Sequence, residues 1–157
     1  MPELPDVVVY LEVIERELIG RTINRIDVRG LAVLRSFDPP VNEAHGKIIT
    51  GTRRLGKRLV FELEDDLFVV IHLMIAGRLY WKDDVAAKPG RDGLVMFRFD
   101  DGSLMLREIA KKKRARMWLH RGEASMLEEH DRGGAEPLEI DRETFAQLLN
   151  QENRTLK

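Results

Sequence analysis

The chain has 157 residues, 43% of them hydrophobic and 34% charged, with 26 Lys and Arg against 27 Asp and Glu, a formal net charge of -1 and no cysteine. These values suit a compact domain and exclude disordered, collagen-like and disulfide-framework classes and any thiolate metal site, while four scattered histidines without ligand spacing point to no metal. No apolar run approaches the roughly 20 residues that cross a bilayer and the acidic N-terminus lacks a signal peptide's basic start, so the expectation is a cytoplasmic protein whose nucleic-acid affinity must come from local clusters of cations.

Residues 4–19 place Leu4, Val8, Leu11, Ile14 and Leu18 at steps of three and four, which predicts an amphipathic helix ending at Gly20. Pro5 suits its first turn and Asp6 its positive end. Residues 22–28 alternate like a strand, and 31–35 and 47–52 are short strand candidates on either side of a turn-rich stretch around Pro39 and Pro40. The strongest β pattern is a hairpin of 59–63 and 67–72 across Glu64-Asp65-Asp66, continued by 77–81. After a polar loop, 93–99 and 103–107 form a second hairpin across Asp100-Asp101-Gly102, and 115–120 adds a strand.

Acidic residues gather after residue 121, and Gly133, Gly134 and Pro137 mark a linker to a last helix over 142–150, with Phe145, Leu148 and Leu149 on its apolar face. The expected fold is α+β, mainly β: a two-layer β-sandwich of about eight strands with an N-terminal and a C-terminal helix. Its domain occupies 1–132, and 133–157 is a linker with the first helix of something further.

Four segments carry candidate chemistry. The first is MPELPD. Removal of the initiator methionine, favoured by a small second residue, leaves Pro2 with a secondary amine that can attack an aldehyde-type carbon and form an iminium. An α-amino group has a pKa of about 7.7–8.0, below that of lysine, and the positive end of the following helix disfavours its protonation further. Glu3 is placed to move protons. The same six residues also read as an ordinary helix start, and a retained Met1 would block the amine.

The second is RRLGKR at 53–58, four cations that suit phosphates or make a solvated basic turn, where Gly56 permits a tight turn that projects Lys57. HLMIAG, the start of the segment 72–81, is the third. It reads either as a candidate phosphate donor, His72, followed by the apolar Met74 and Ile75 suited to fill the gap left by a flipped base, or as a buried strand end with Met and Ile in the core and His72 satisfied there. The last is KKKRAR at 111–116, in which Lys111, Lys112, Lys113 and Arg114 make a phosphate-binding patch or a solvated loop. The remaining histidines, His45, His120 and His130, have no assigned role.

In this order and spacing, MPELPD, LGK and HLMIAG resemble the formamidopyrimidine-DNA glycosylase and endonuclease VIII family. The resemblance implies base-excision repair on damaged double-stranded DNA by a monomer with glycosylase and AP lyase activity. Pro2 then matches the Schiff-base nucleophile, Glu3 the proton-transfer residue and Lys57 the hairpin lysine that assists elimination. Asp6 stands where many members carry glutamate, His72 matches a phosphate-proximal histidine, and Lys157 a lysine near the lesion phosphate.

Met74-Ile75-Ala76 replaces the family's usual trio, so Ile75 is the positional match to its wedge and Met74 the chemical one. KKKRAR lacks the Arg-Phe pair of the second wedge loop. The family's helix-two-turn-helix domain and zinc finger would lie beyond Lys157, so no cofactor is expected within the chain, which reads as a truncated N-terminal catalytic domain. The alternatives are a DNA-binding module of the same fold that does no chemistry and an interaction domain without nucleic-acid affinity.

Overall fold

Strands that are apolar at nearly every position need cover on both faces, and that requirement organises the molecule. The computed structural model describes residues 2–30, 32–131, 133–136 and 139–151. A helix α1 (Leu4–Leu18) leads into β1 (Thr22–Ile23), β2 (Arg25–Val28), β3 (Lys47–Leu55), β4 (Arg58–Leu63), β5 (Leu67–His72), β6 (Gly77–Lys82), β7 (Gly93–Arg98), β8 (Ser103–Glu108) and β9 (Arg116–Arg121). Helices α2 (Glu123–His130) and α3 (Arg142–Gln151) follow. Two antiparallel sheets, in the orders β1-β3-β4-β5-β9 and β2-β7-β8-β6, make the expected two-layer sandwich, with nine strands among the described residues where about eight were expected.

Between the layers lie Leu59, Phe61, Val69, Ile71, Met117 and Leu119 of one sheet and Val95, Phe97, Leu104 and Leu106 of the other. Phe61 meets Phe97 edge to face at 5.9 Å, a contact contributing about 0.5–1.5 kcal/mol beyond area burial. Outer positions are covered separately. Val60, Phe68 and Val70 lie under Met126 of α2, while Met96 and Met105 lie under Ala87 of the long polar loop. No helix among the described residues is long and apolar enough to cross a membrane.

Four local expectations change. The single strand over 22–28 divides at Asn24, whose N–H donates to the Arg98 carbonyl at 2.8 Å. Thr22-Ile23 pairs with β3 and Arg25–Val28 with β7, so the chain crosses between layers and both Ile23 and Ile26 enter one core. Of the expected strand 31–35, the described residues 32–35 form no strand; Leu34 makes one isolated bridge to Met117. In α1 the buried face is Val7, Ile14 and Leu18, and Val8 is exposed. Val7, Leu11, Ile14 and Leu18 follow the same steps of four and three, so spacing alone did not separate the two stripes.

The fourth change is α2, in a segment where the sequence showed only a gathering of acidic residues and no helix was expected. Its Met126 is fully buried against the outer face of the first sheet. Eight residues with few apolar positions give little periodic signal, and tertiary cover makes this helix. In α3, Phe145, Leu148 and Leu149 are exposed among the described residues.

Candidate active site and nucleic-acid interface

Strand register gathers the candidate segments at one end of the sandwich. Arg58 at the start of β4 pairs with His72 at the end of β5, and His72 pairs with Arg116 at the start of β9. In the other sheet Gly77 at the start of β6 pairs with Glu108 at the end of β8. Three connections therefore emerge together: the Gly56-Lys57 turn between β3 and β4, the loop 73–76 and the loop 109–115. The last two both cross from one sheet to the other.

The two-residue turn is flanked by the pair Leu55 and Arg58 and uses a positive φ of 57° at Gly56, which glycine adopts at little steric cost. It delivers Lys57 Nζ to the carboxylate of Glu3. Glu3 is the N-cap of α1, and its N–H donates to Asp6 at 2.7 Å, so Asp6 holds the helix start. Pro2, immediately before the cap, is buried. A cleft of about 610 Å³ runs from Leu4 past Lys57 and Arg58 to His130 and Glu136. A more apolar groove of about 560 Å³ between α1 and the strands β6 and β8 contains none of the candidate residues.

The basic run 53–58 is less available to phosphates than its composition suggests. Arg53 pairs with Glu62 at 2.9 Å and Glu123 at 2.6 Å, and Arg54 with Glu136 at 2.7 Å. His72 is half-buried, and burial, followed by the nearby Arg58 and Lys57, pushes its pKa below the ordinary histidine value. It therefore faces the site as a neutral imidazole at neutral pH, with a donor N–H rather than a full charge. Behind the turn, His120 and His130 are also shifted down by burial, His130 to about 4.

The loop 73–76 is tightly closed. Gly77 N–H donates to the Leu73 carbonyl at 2.9 Å, and a Cβ at Gly77 would sit 2.4 Å from that oxygen. Met74 adopts φ 56° and is half-buried, whereas Ile75 is 47% exposed at the tip. In the neighbouring loop, the buried Glu108 carboxylate accepts the N–H groups of Arg114 at 2.6 Å and Ala115 at 3.0 Å. Lys113 turns inward, to the Glu108 carbonyl and to Asp92 at 3.3 Å. Lys111, Lys112 and Arg114 are exposed.

Comparison with known proteins fits this arrangement. Residues 1–117 match the model of the formamidopyrimidine-DNA glycosylase N-terminal domain. The chain belongs to the formamidopyrimidine-DNA glycosylase family. It is 34% identical to a formamidopyrimidine-DNA glycosylase of Lactococcus lactis subsp. cremoris over 112 residues, 71% of this chain and 41% of that one. With that of Paraburkholderia phymatum the identity is 35% over 132 residues, 82% of this chain and 47% of the relative. The crystal structure of the wild-type Lactococcus lactis enzyme with an oxidized pyrimidine containing DNA superposes with a TM-score of 0.73 at 26% identity, covering 82% of this chain and 47% of that one. The chain thus spans less than half the length of these relatives.

For this member of the formamidopyrimidine-DNA glycosylase family, the fold brings Pro2, Glu3, Asp6, Lys57, His72, Met74, Ile75 and the loop of Lys111 to Arg114 to one end of the sandwich. Lys157 lies outside the described residues. Two residues were missed in the sequence. Glu108 looks like one more surface acid until its 1% exposure shows it organising the basic loop. Ile109, 66% exposed at the start of that loop, is a second apolar tip, and an isoleucine beside a polar run was the available signal.

Proposed function

We propose that this chain is the catalytic β-sandwich, residues 1–132, of a base-excision repair DNA glycosylase with AP lyase activity, a cytoplasmic monomer acting on damaged double-stranded DNA. The observation that carries this reading is the meeting of Lys57 and Glu3 at the helix start that directly follows Pro2. The names of the relatives and the oxidised-base DNA in the Lactococcus lactis complex support the substrate class.

In the mature protein the Pro2 nitrogen attacks C1′ of the damaged nucleotide, the bond to the base breaks, and the base leaves with a proton. Glu3 relays protons as the sugar ring opens and the iminium forms. Loss of a C2′ proton then expels the 3′ phosphate, whose developing negative charge is balanced by Lys57, and water releases the sugar from Pro2. Ile75 at the loop tip enters the stack where the base has left. Lys111, Lys112 and Arg114 contact backbone phosphates, with His72 donating to a nearby phosphate as a neutral group.

Borohydride reduction of the protein with abasic-site duplex tests this. A covalent adduct is expected with a mature Pro2 N-terminus and is greatly reduced in Pro2→Gly. An adduct of equal yield in Pro2→Gly refutes the nucleophile. Salt-sensitive DNA binding with no adduct in either protein would instead support a DNA-binding module of the same fold.

A further inference from the structure

His120 on β9 and His130 at the end of α2 have no place in the reaction above, yet the fold turns their rings toward each other. Their Nε2 atoms are 2.9 Å apart, and the residues are 6% and 3% exposed. Glu129 Oε2 lies 3.6 Å from His120 Nε2. One donor atom from each of the three residues falls within 4.8 Å of the others. Trp118 packs edge-on against His130 at 4.7 Å between ring centres and holds that ring in place.

Two facing imidazole nitrogens can share only one proton, so without a third party one donates and the other accepts. The same placement suits a metal ion. With metal–nitrogen bonds of about 2.0–2.1 Å in tetrahedral geometry, two ligand nitrogens lie roughly 3.3 Å apart. The observed 2.9 Å needs an opening of only about 0.4 Å to reach it.

We propose that His120, Glu129 and His130 form a site for a divalent transition metal of the zinc type. Imidazole nitrogens favour zinc, nickel and copper over magnesium and calcium, which prefer all-oxygen sites. Three protein ligands leave a fourth position for water, reached from the side of Glu129, whose side chain is 51% exposed. Arg58 on β4 and His72 on β5 lie near enough to His130 to act on it electrostatically, and the Arg58 charge opposes a cation. The Glu129 carboxylate and the negative C-terminal end of α2 favour one. The ion would fasten α2 to β9. Because His130 and Asp131 also line the cleft beside Lys57, it would set the position of that wall as well.

The proposal is independent of the glycosylase reading, since none of the three residues takes part in that chemistry. Its test is titration of the tag-free 157-residue chain with Zn²⁺ against a chromophoric chelator, and with Co²⁺ followed by its visible absorption. One equivalent should bind, with intense Co²⁺ bands of four-coordinate type. His120→Gln and His130→Gln should each weaken Zn²⁺ binding by more than the roughly 10- to 100-fold that a lost outer partner costs. Glu129→Gln, altered at an exposed side chain that leaves the core intact, should weaken Zn²⁺ by more than the roughly tenfold that even a lost outer partner costs and shift the Co²⁺ bands. Failure of the wild-type chain to bind saturably, or equal affinity in Glu129→Gln and wild type, overturns the site.

Discussion

Glu3 and Lys57, 54 positions apart in the chain, form an ion pair at the amino end of α1. Both side chains are about half exposed, at 52% and 42%, and exposed pairs contribute only about 0.2–1 kcal/mol. Stability does not explain the arrangement. On the proposed reading this carboxylate and ammonium are held beside Pro2, whose nitrogen becomes a secondary amine once Met1 is removed, which suits proton transfer and phosphate departure.

Glu3→Gln and Lys57→Ala should therefore separate activity from folding. Base excision by Glu3→Gln should fall by about 10²–10⁴-fold, the range for loss of a general acid or base. Lys57→Ala should slow strand cleavage more than adduct formation. Urea midpoints of both variants should stay close to wild type. A large drop in stability with little change in rate would make the pair structural.

Ile75 is expected to act as the wedge through its apolar volume. Ile75→Ala should weaken binding to a duplex bearing an abasic-site analogue by about 2 kcal/mol, roughly 30-fold, from the methylenes lost. Val85, exposed to 48% in a different loop, provides the control, and Val85→Ala should bind as wild type. Equal affinities in a titration of both variants would remove Ile75 from the interface.

Glu108 should matter through its acceptor oxygen rather than its charge. One oxygen accepts both the Arg114 and Ala115 N–H groups, while the other is buried without a partner among the described residues. Glu108→Gln can keep the first and replace the second with an amide NH₂, so it should be mild. Glu108→Ala leaves two donors unpaired at about 1–3 kcal/mol each. Thermal unfolding, with hydrogen exchange at the Arg114 and Ala115 amides, reads the difference.

Met126 anchors α2 on the outer face of the first sheet. Met126→Ala should cost about 2–5 kcal/mol, as large-to-small changes in a core do, with exchange protection falling in 123–130 before it falls in β4 or β5. Uniform loss across the molecule would mean that α2 is no separate unit.

His72 should impose a pH dependence on stability. Its folded pKa lies below the ordinary value, chiefly because it is buried and then because of Arg58 and Lys57. As pH falls below about 6.5 the unfolded chain takes up a proton that the folded one resists. Stability is therefore lost between that value and the lower folded pKa. Denaturant midpoints measured from pH 7.5 to 5 should fall more steeply for wild type than for His72→Gln. Parallel curves would contradict the shift.

The three motifs MPELPD, LGK and HLMIAG lie in one local context each, so their residue types and order were legible in the sequence by itself. So were the hairpins around 64–66 and 100–102 and the sandwich class, because turn residues and apolar runs act over a few positions. Tertiary structure decided what those groups do to one another. Pairing of Arg58 with His72, His72 with Arg116 and Gly77 with Glu108 put three distant connections at one end. Glu62, Glu123 and Glu136 drew Arg53 and Arg54 away from the solvent-facing patch that composition suggested. Helix α2 and the His120–His130 contact also exist only in the fold, since a weakly periodic eight-residue segment and two histidines ten positions apart have no local signal. Local rules act through the backbone over a turn or two, whereas charge neutralisation and ligand clustering depend on distances that only packing sets.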